Sequence, residues 1–515
     1  MPTTVDVWVA ILVVGIGAIF ALHHRRNATA QALNEPPILP YLIPFVGHAL
    51  WYRRKSIEVY NAARMFSPDA RPVSLTLMGQ RIYVRIAISL ESMLPNILHL
   101  QIVTASKDVS AVYRAKSLSF GPLVLYGLGS VFDLSKQGRD MIAHEYNGPH
   151  SSLLESVHPF YRSTLKEAPA LNELITSFLD CLRVELLKED AKISASPRGM
   201  KVPLRDWART VLGTASTVVM MGPQILEEEP NLLDYNWQFN ADFFTFVVGL
   251  PRFLLRKQNA NRDKLIRAFE RVYRDRDTKQ KDAVWWVAAI QGMMVEAGAT
   301  SAHDIGAGTF SVWNALQANS NPVSFWLLLQ IATFPGLAER IRKSITTAFD
   351  SNGKVIDVEL LVNDPLLRST FNETLRVFSC SMSTRLVMED TIISDYTFRK
   401  GAVVKCPIRP HHWDADIWGP DVEEFVPDRF IREPANGLMR GDVKLVRPFG
   451  GGASLCPGRF FASYEVLSFV GALLFKYDIK LAEGARIPRP NLNAPTLGIS
   501  NPINDVEVVI TKRTE

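Results

Sequence analysis

The chain opens with an apolar run whose ends are marked by charged residues. Val7–Leu22 contains sixteen uncharged residues, preceded by Asp6 and followed by His23–Arg26. A helix of that length is about 24 Å long, which is enough to cross a thin bilayer, and basic residues after a span favour a cytoplasmic position for the chain that follows. We therefore expect residues 1–26 to form a membrane anchor with a basic flank. A cleaved signal peptide is the alternative, because Ala28–Ala30 resembles a cleavage site.

The next segment, residues 27–47, is rich in proline. Four prolines lie between Glu35 and Gly47, and proline favours stiff, extended backbone, so we expect a linker to a folded body over residues 48–515. Early in that body, Val73–Ala87 is rich in β-branched residues and alternates apolar with polar positions around Gly79–Gln80. This pattern predicts a β-hairpin.

Helical periodicity dominates the middle of the chain. Residues 108–348 repeat apolar positions with a helical period, for example in Asn172–Leu187 and Arg262–Tyr273. Short β-branched runs return within residues 385–405 and in residues 505–511. The pattern predicts a mainly α fold with small β-sheets near both ends.

One helical stretch has no charge at all. No charged residue occurs between Asp304 and Glu339, a length that would suffice for a second membrane span. Its centre nevertheless carries several amides and a proline, which are Asn314, Gln317, Asn319, Asn321 and Pro322. A lipid-facing helix rarely carries so many amides, so we interpret it as a long helix through the core, whose polar groups need partners or line a cavity.

Composition and charge exclude several classes of function. The net charge is only +5, and no block of Lys and Arg alternates with aromatic residues, so we expect no nucleic-acid partner. The four cysteines, Cys181, Cys380, Cys406 and Cys456, are far apart and form no C-x-x-C pair. Neither a zinc site nor a disulfide framework is predicted, and a reducing compartment fits best.

A single cysteine stands in an unusual setting in Pro448–Phe461, "PFGGGASLCPGRFF". The glycine run Gly450–Gly452 allows the backbone to approach a large flat group closely. A helix predicted over Arg459–Phe475 would put Cys456 just before its N-terminus, where the helix dipole favours a thiolate. A shielded single thiolate suits an axial ligand of iron.

Two other interpretations of Cys456 stay open at this point. A nucleophilic cysteine would need a base, for which His411 and His412 are available, but the spacing gives no evidence for such a pair. A buried structural cysteine after a glycine turn needs no partner at all.

The whole stretch Phe449–Glu465 has the form F-G-G-G-x-x-x-C-P-G-R-x-x-A-x-x-E. It resembles the haem-binding signature of the cytochrome P450 superfamily. The resemblance implies the cytochrome P450 fold, haem b as cofactor, and Cys456 as the axial metal ligand. It also implies that the cofactor-binding residues include Phe449, Gly450, Gly458 and Arg385, the last on a haem propionate.

Further motifs of that family occur in the expected order. Glu373–Arg376 resembles its E-x-x-R, and a spacing of three on a helix puts both side chains on one face. Phe425–Phe430 resembles the element whose arginine joins that pair. Two features depart from the family. Ser454 stands where many relatives carry a second propionate-binding arginine, and residues 138–166 contain no convincing W-x-x-x-R.

The central uncharged helix indicates which branch of the family the chain resembles. Trp313–Pro322 and Phe325–Trp326 resemble sterol 7α-hydroxylases and prostacyclin synthases, as do Val247–Pro251 and Gly498–Val506. A fungal enzyme of secondary metabolism is one candidate within that branch.

The resemblance implies a haem-thiolate monooxygenase in the endoplasmic reticulum membrane, with residues 48–515 as a cytoplasmic catalytic domain. It would oxidise a small, bulky and lipophilic substrate, a terpenoid or sterol, with dioxygen and electrons from NADPH through a NADPH–cytochrome P450 reductase. Candidate pocket residues are Phe243, Phe244, Phe246, the helix that contains Trp313, and Leu497–Ile499. The alternatives are a haem-thiolate isomerase or dehydratase that needs no reductase, and a non-catalytic haem-binding protein.

Asn319 and Ser320 are the candidate catalytic residues. Typical relatives carry an acid followed by a threonine in the central helix to deliver protons, and this chain has Ala318–Ser320 there. An amide cannot act as a general acid, but it can orient water, and a serine can extend a hydrogen-bond chain. The register of the two residues against the usual pair stays open. Asn319 could instead satisfy backbone groups freed by Pro322.

Overall fold

The computed structural model describes residues 30–41, 43, 46–67, 71–76, 100–144, 152–166, 169–196, 198–247, 249–275, 285–431, 442–492, 496 and 498–513, together with Ala21, His24 and Ala28. The α-helices are α1 Ala49–Arg54, α2 Ser56–Phe66, α3 Ser106–Arg114, α4 Gly121–Ser130, α5 Lys136–Ala143, α6 Leu153–Leu165, α7 Ala170–Ser194, α8 Leu204–Met221, α9 Gln224–Glu228, α10 Leu232–Val247, α11 Arg256–Arg274, α12 Trp285–Glu296, α13 Ala302–Thr333, α14 Leu337–Ile345, α15 Val358–Asn363, α16 Pro365–Phe378, α17 Arg409–His412, α18 Ala415–Trp418 and α19 Arg459–Lys476. The strands are β1 Val73–Leu75, β2 Leu100–Ile102, β3 Leu118–Ser119, β4 Met200–Pro203, β5 Met382–Val387, β6 Thr391–Ile393, β7 Tyr396–Phe398, β8 Val403–Pro407, β9 Tyr477–Leu481 and β10 Glu507–Lys512.

The described residues divide into two compact units. The first unit takes its residues from Met1–Leu123, Ser381–His411 and Gly450–Leu455, and the second from Val124–Cys380, His412–Phe449 and Cys456–Glu515. The first contains a five-stranded sheet in the order β1-β2-β8-β5-β3, in which only β2 and β8 run parallel, and the β6–β7 hairpin. The second contains the antiparallel sheet β4-β10-β9 and most of the helices. The predicted mainly α fold with small sheets is confirmed.

Helix α13 is the axis of the second unit, as the uncharged stretch predicts. Ser301 caps its N-terminus by accepting a hydrogen bond from the Asp304 N–H. Most of its residues are buried, and it packs against α8, α11, α16 and α19. Pro322 lies inside the helix and has no N–H for the carbonyl group one turn earlier. The stretch is therefore a core helix.

Three predictions concern the N-terminal part of the chain, much of which lies outside the described residues. The predicted anchor Val7–Leu22 lies outside the described residues except for Ala21, and none of the helices within the described ranges is long and apolar enough to cross a bilayer. Of the predicted hairpin, Val73–Leu75 forms β1 and pairs with β2, whereas residues 77–87 lie outside the described part. In the predicted linker, the Leu39 N–H donates to the Ser74 carbonyl at 2.9 Å.

Candidate active site

The cysteine of the glycine-rich stretch lies just before α19. Backbone N–H groups of Gly458 and Arg459 donate hydrogen bonds to the Cys456 sulfur. The N–H of Cys456 donates to the Phe449 carbonyl at 3.0 Å, and the Arg459 guanidinium donates to the Cys456 carbonyl at 2.9 Å. The sulfur thus faces N–H groups at the start of a helix, where the positive end of the dipole favours an anion.

Burial and these donors act on the thiol in opposite directions. Burial raises the pKa of Cys456 above its ordinary value, while the N–H groups of Gly458 and Arg459 and the Arg459 charge lower it. Burial is the larger effect. A metal cation at the sulfur would deprotonate the thiol outright, so this setting stabilises a thiolate most effectively when a metal is bound.

The donor set fits a haem iron. Across the described parts of the chain, no group of three or more His, Cys, Asp and Glu side chains is arranged to hold a metal ion. A haem needs only one axial side chain because the porphyrin supplies the other ligands. The nucleophile interpretation has less support, because the His412 Nε2 already accepts a hydrogen bond from the Arg447 N–H at 3.0 Å.

In the first unit, Arg385 is a buried cation. Its guanidinium donates to the Ser454 hydroxyl, to the Gly451 carbonyl at 3.2 Å and to the Thr384 carbonyl at 2.8 Å. None of the described carboxylates lies within salt-bridge distance of it, and burial lowers its pKa. Since a buried charge needs a counter-ion, this setting fits an anionic group such as a propionate. Ser454, where many relatives carry arginine, is here an acceptor for Arg385.

The glycine run is required for two different reasons. Gly450 has a φ of +77°, a conformation that favours glycine. A Cβ at Gly451 would lie 2.3 Å from the Tyr113 ring, and one at Gly452 would lie 2.2 Å from the Tyr113 carbonyl oxygen. Part of the need for glycine therefore comes from the close approach of α3. At Gly458, a Cβ would make ordinary contacts, the nearest at 3.9 Å.

The E-x-x-R pair forms the predicted contact inside the second unit. The Arg376 Nε and one of its terminal nitrogens donate to the two Glu373 oxygens, each at 2.8 Å. The Arg429 Nε donates to the same oxygens at 3.0 and 3.1 Å, and the Val426 N–H donates to one of them at 3.0 Å. Arg376 also donates to the His412 carbonyl at 2.9 Å. This cluster fixes the segment that contains Val426 and Arg429, which precedes the glycine-rich stretch of Cys456 in the chain.

The amides in the centre of α13 have partners on neighbouring helices. The Asn314 side chain donates to Asn236 at 2.8 Å and to Asn240 at 3.0 Å, both on α10. The Trp313 indole donates to the Thr217 hydroxyl of α8 at 3.2 Å. These bonds explain how a polar centre is tolerated in a buried helix.

The two candidate catalytic residues of α13 face different partners. The Asn319 Oδ1 accepts a hydrogen bond from the Ile499 N–H at 3.1 Å. The Ser320 hydroxyl donates to the Leu316 carbonyl at 3.4 Å, and it lies close enough to the Glu465 carboxyl group to lower the pKa of that group. Adjacent residues of one helix thus contact the C-terminal segment and α19.

Sequence reasoning gave no role to Glu465, the last residue of the signature pattern. Its side chain is only 2 % exposed, and the Ser216 hydroxyl donates to Oε1. Burial raises the pKa of Glu465 from 4.5 to about 7, against the lowering effect of the Ser216 and Ser320 hydroxyls. The signature pattern contains Glu465, but no sequence signal identified Ser216 as its hydrogen-bond partner.

The candidate pocket residues of α10 belong to a cluster of aromatic rings. The Phe243 ring lies 6.1 Å from both Phe132 and Phe239, and 5.4 Å from Phe244. Phe246 is buried under the Arg262 guanidinium, 4.9 Å from its ring centre. The cluster supplies apolar surface beside α13. A further candidate pocket residue, Leu497, lies outside the described residues.

The family model for cytochrome P450 matches residues 167–508. This chain belongs to the cytochrome P450 family. P450s are oxidoreductases whose haem iron is bound by a cysteine thiolate, so the chain is an enzyme of that class with haem as its cofactor. P450 monooxygenases generally act on small substrates and need a redox partner. The resemblance found in the sequence is confirmed.

Relatives include fungal and animal P450s. The chain is 26 % identical over 473 residues to the cytochrome P450 monooxygenase poxD of Penicillium oxalicum, covering 90 % of each chain. It is 24 % identical to the cholesterol 7-alpha-monooxygenase of Cricetulus griseus, covering 98 % of each, and 25 % identical to the 7-alpha-hydroxycholest-4-en-3-one 12-alpha-hydroxylase of Homo sapiens, covering 92 % of each. Among solved structures, retinoic acid-bound cyanobacterial CYP120A1 has a TM-score of 0.69 at 16 % identity, covering 93 % of this chain and 100 % of that chain. That structure supports the P450 fold.

Proposed function

We propose that this P450 is a membrane-bound haem-thiolate monooxygenase that oxidises a bulky lipophilic substrate, a terpenoid or a sterol-like molecule. Electrons come from NADPH through a separate NADPH–cytochrome P450 reductase. The main support is the Cys456 thiol, whose N–H donors and position before α19 suit an axial ligand of haem iron. Similarity to fungal P450 monooxygenases and sterol hydroxylases supports the substrate class.

The haem supplies the activation of dioxygen and the oxidation of a C–H bond. Cys456 would hold the iron, and the N–H groups directed at its sulfur would stabilise the thiolate. Arg385 would bind a propionate as its missing counter-ion, and Phe449, Gly450 and Gly458 would contact the porphyrin. The chain itself binds and orients the cofactor and the substrate.

Proton delivery is the task of α13. The Ser320 hydroxyl would carry a proton, because it can donate and accept at the same oxygen and contacts the Glu465 carboxyl. The Asn319 amide would orient water or an oxygen atom, since it cannot act as a general acid.

For localisation, we propose that residues 1–26 anchor the enzyme in the endoplasmic reticulum membrane by a single span. Residues 27–47 would link this anchor to the cytoplasmic catalytic domain, residues 48–515. Phe253 and Leu254 are exposed by 66 % and 59 % and are followed by basic residues. Such a surface suits contact with a lipid headgroup region.

The test is product formation by the purified protein with a reductase, NADPH and ¹⁸O-labelled dioxygen, against a panel of terpenoids and sterols. The proposal predicts one labelled oxygen atom in the product and dependence on the reductase. Conversion of a peroxide without reductase would select the isomerase alternative. A protein that binds haem but consumes no NADPH with any ligand would be a haem-binding protein without catalytic activity.

A further inference from the structure

The inward face of α10 changes its burial halfway along the helix. In the first half, the buried residues are Leu232, Leu233, Asn236 and Phe239. The residues that continue this face at helical spacing are only half-buried, and they are Asn240, Phe243, Phe244 and Val247. The second half of α10 therefore lies beside an open space, and Asn240 is the residue at its edge.

Helix α13 also has a face that its neighbours leave uncovered. Most of its residues are buried, yet Val312, Leu316 and Asn319 are half-buried and Ala315 is exposed. These positions recur every three or four residues, so they share one side of the helix. A largely apolar, uncovered face in the middle of a core helix is typical of a small-molecule site.

The Asn314 side chain joins α13 to α10 next to these two faces. Its NH₂ group donates to the Asn236 Oδ1 at 2.8 Å and to the Asn240 Oδ1 at 3.0 Å. Asn314 and Asn236 are buried, whereas Asn240 is half-buried. Because the Asn240 oxygen faces Asn314, the Asn240 NH₂ group points away from it, and no described residue forms a hydrogen bond with that group.

The surroundings of Asn240 are aromatic. The Phe243 ring, one turn further along α10, lies 6.1 Å from the Phe132 ring, and the Phe239 ring lies 4.9 Å from the Phe310 ring. In apolar surroundings a hydrogen bond is electrostatically stronger than in water. Ligand sites commonly combine such apolar walls with a few fixed polar groups that orient the ligand.

We propose that Asn240 binds a hydroxyl or carbonyl oxygen of the substrate and that Asn314 is the positioning residue that orients its amide. This rests on the proposed function and specifies its substrate further, as a terpenoid or sterol that already carries an oxygen function. The phenylalanine rings contact the hydrocarbon skeleton, while the amide fixes one end of it. A terpene hydrocarbon is then a poor substrate until an earlier oxygenation reaction has given it a hydroxyl or carbonyl group.

The test compares ligands that differ only in one hydroxyl group. The probes are cholestanol with cholestane, and abietadienol with abietadiene. The Kd of each probe is measured from the absorption change that it causes in the ferric, haem-loaded full chain, for the wild type, Asn240→Leu and Gln238→Leu. Gln238→Leu is the matched control, because Gln238 is an exposed amide of the same helix.

The quantity that decides is the Kd of the hydrocarbon divided by the Kd of its alcohol. This ratio should fall about tenfold in Asn240→Leu, as loss of one hydrogen bond implies, and should keep its wild-type value in Gln238→Leu. The hydrocarbons should bind Asn240→Leu at least as tightly as the wild type, which also shows that the variant is folded. Asn240→Asp should retain the preference for the alcohol, because it still offers oxygens to Asn314 and to a hydroxyl group.

Three results would overturn the assignment of Asn240. They are an unchanged ratio in Asn240→Leu, an equal fall in Gln238→Leu, and failure of both alcohols to bind the wild type. Binding to the ferric protein needs neither reductase nor NADPH. A preference for the alcohol without oxygen insertion would therefore count against the proposed monooxygenase activity alone, whereas oxygen insertion without such a preference would count against the role of Asn240 alone.

Discussion

Glu373 and Glu465 are both buried carboxyl groups of the second unit, with exposures of 0 % and 2 %, but their surroundings differ. Glu373 accepts hydrogen bonds from the guanidinium groups of Arg376 and Arg429. Glu465 has only serine hydroxyls, and its Oε2 has no hydrogen-bond partner within the described part of the chain. The two carboxyl groups are therefore almost equally buried. Guanidinium groups compensate the charge of Glu373, whereas none of the described cations compensates that of Glu465.

The difference separates a structural carboxylate from one suited to exchanging a proton. Two guanidinium groups donate hydrogen bonds to Glu373, and this cluster fixes the segment that contains Val426 and Arg429. Burial without a cation raises the pKa of Glu465 to about 7, close to the range in which acid–base groups work. The carboxyl that contacts Ser320 is the one without a counter-ion.

The largest effect is expected from Glu373→Ala. It leaves two buried guanidinium groups without their anion, which should lower the free energy of unfolding by about 3 to 5 kcal/mol. The measurement is urea unfolding followed by circular dichroism. Glu58→Ala is the matched control, because Glu58 forms a solvent-exposed ion pair with Lys55, and its loss should lower the free energy of unfolding far less than Glu373→Ala does. Equal losses in the two variants would show that Glu373 is not held as described.

Glu465→Gln should have the opposite effect on stability, because it should raise the free energy of unfolding. The folded protein binds the Glu465 proton more tightly than the unfolded chain, so stability falls as the pH rises from 4.5 to about 7. A rise of the pKa from 4.5 to about 7 corresponds to about 3 kcal/mol, which the neutral amide avoids. Above this window the variant should therefore be more stable than the wild type by up to about 3 kcal/mol.

Urea unfolding at several pH values checks this prediction. The stability of Glu465→Gln should change less with pH across the window, whereas Glu483→Gln, at an exposed position, should follow the wild type. A Glu465→Gln protein that is less stable than the wild type at high pH would mean that the ionised carboxylate has a favourable partner.

A smaller effect is expected from Ser216→Ala. The Ser216 hydroxyl lowers the pKa of Glu465, so its removal should move the titration to higher pH, with a free-energy cost of about 1 kcal/mol for the ionised form. The carbonyl band of protonated Glu465 in infrared spectra, identified by its absence in Glu465→Gln, reports the midpoint. Ser468→Ala removes a buried hydroxyl from α19, the helix that carries Glu465, and should leave the midpoint of the Glu465 titration unchanged. A midpoint that falls in Ser216→Ala would contradict the assignment.

The sequence predicts the Glu373 side of this comparison better than the Glu465 side. The contact of Glu373 with Arg376 follows from a spacing of three on one helix. The partner of Glu465 is 249 residues away and that of Asn319 is 180 residues away. Only packing of the helices brings such residues together, so no local pattern contains the information.

The same limit applies to the α13 amides and the glycine run. The absence of charge predicted a core helix, and the amides predicted a need for partners, but Asn236 and Asn240 were not identifiable as those partners. The glycine run was interpreted as room for a flat group, whereas Gly451 and Gly452 also admit Tyr113. A residue type predicts that space is needed and leaves open which neighbour uses it.

The central claim is that the Cys456 sulfur binds haem iron as a thiolate. The most direct test is the absorption difference spectrum of the reduced, carbon monoxide-treated protein, for the wild type, Cys456→Ala and the control Cys181→Ala. The wild type and Cys181→Ala should show the red-shifted band of thiolate-ligated haem, and Cys456→Ala should lack it. Absence of this band from the wild type, or its persistence in Cys456→Ala, would contradict the account.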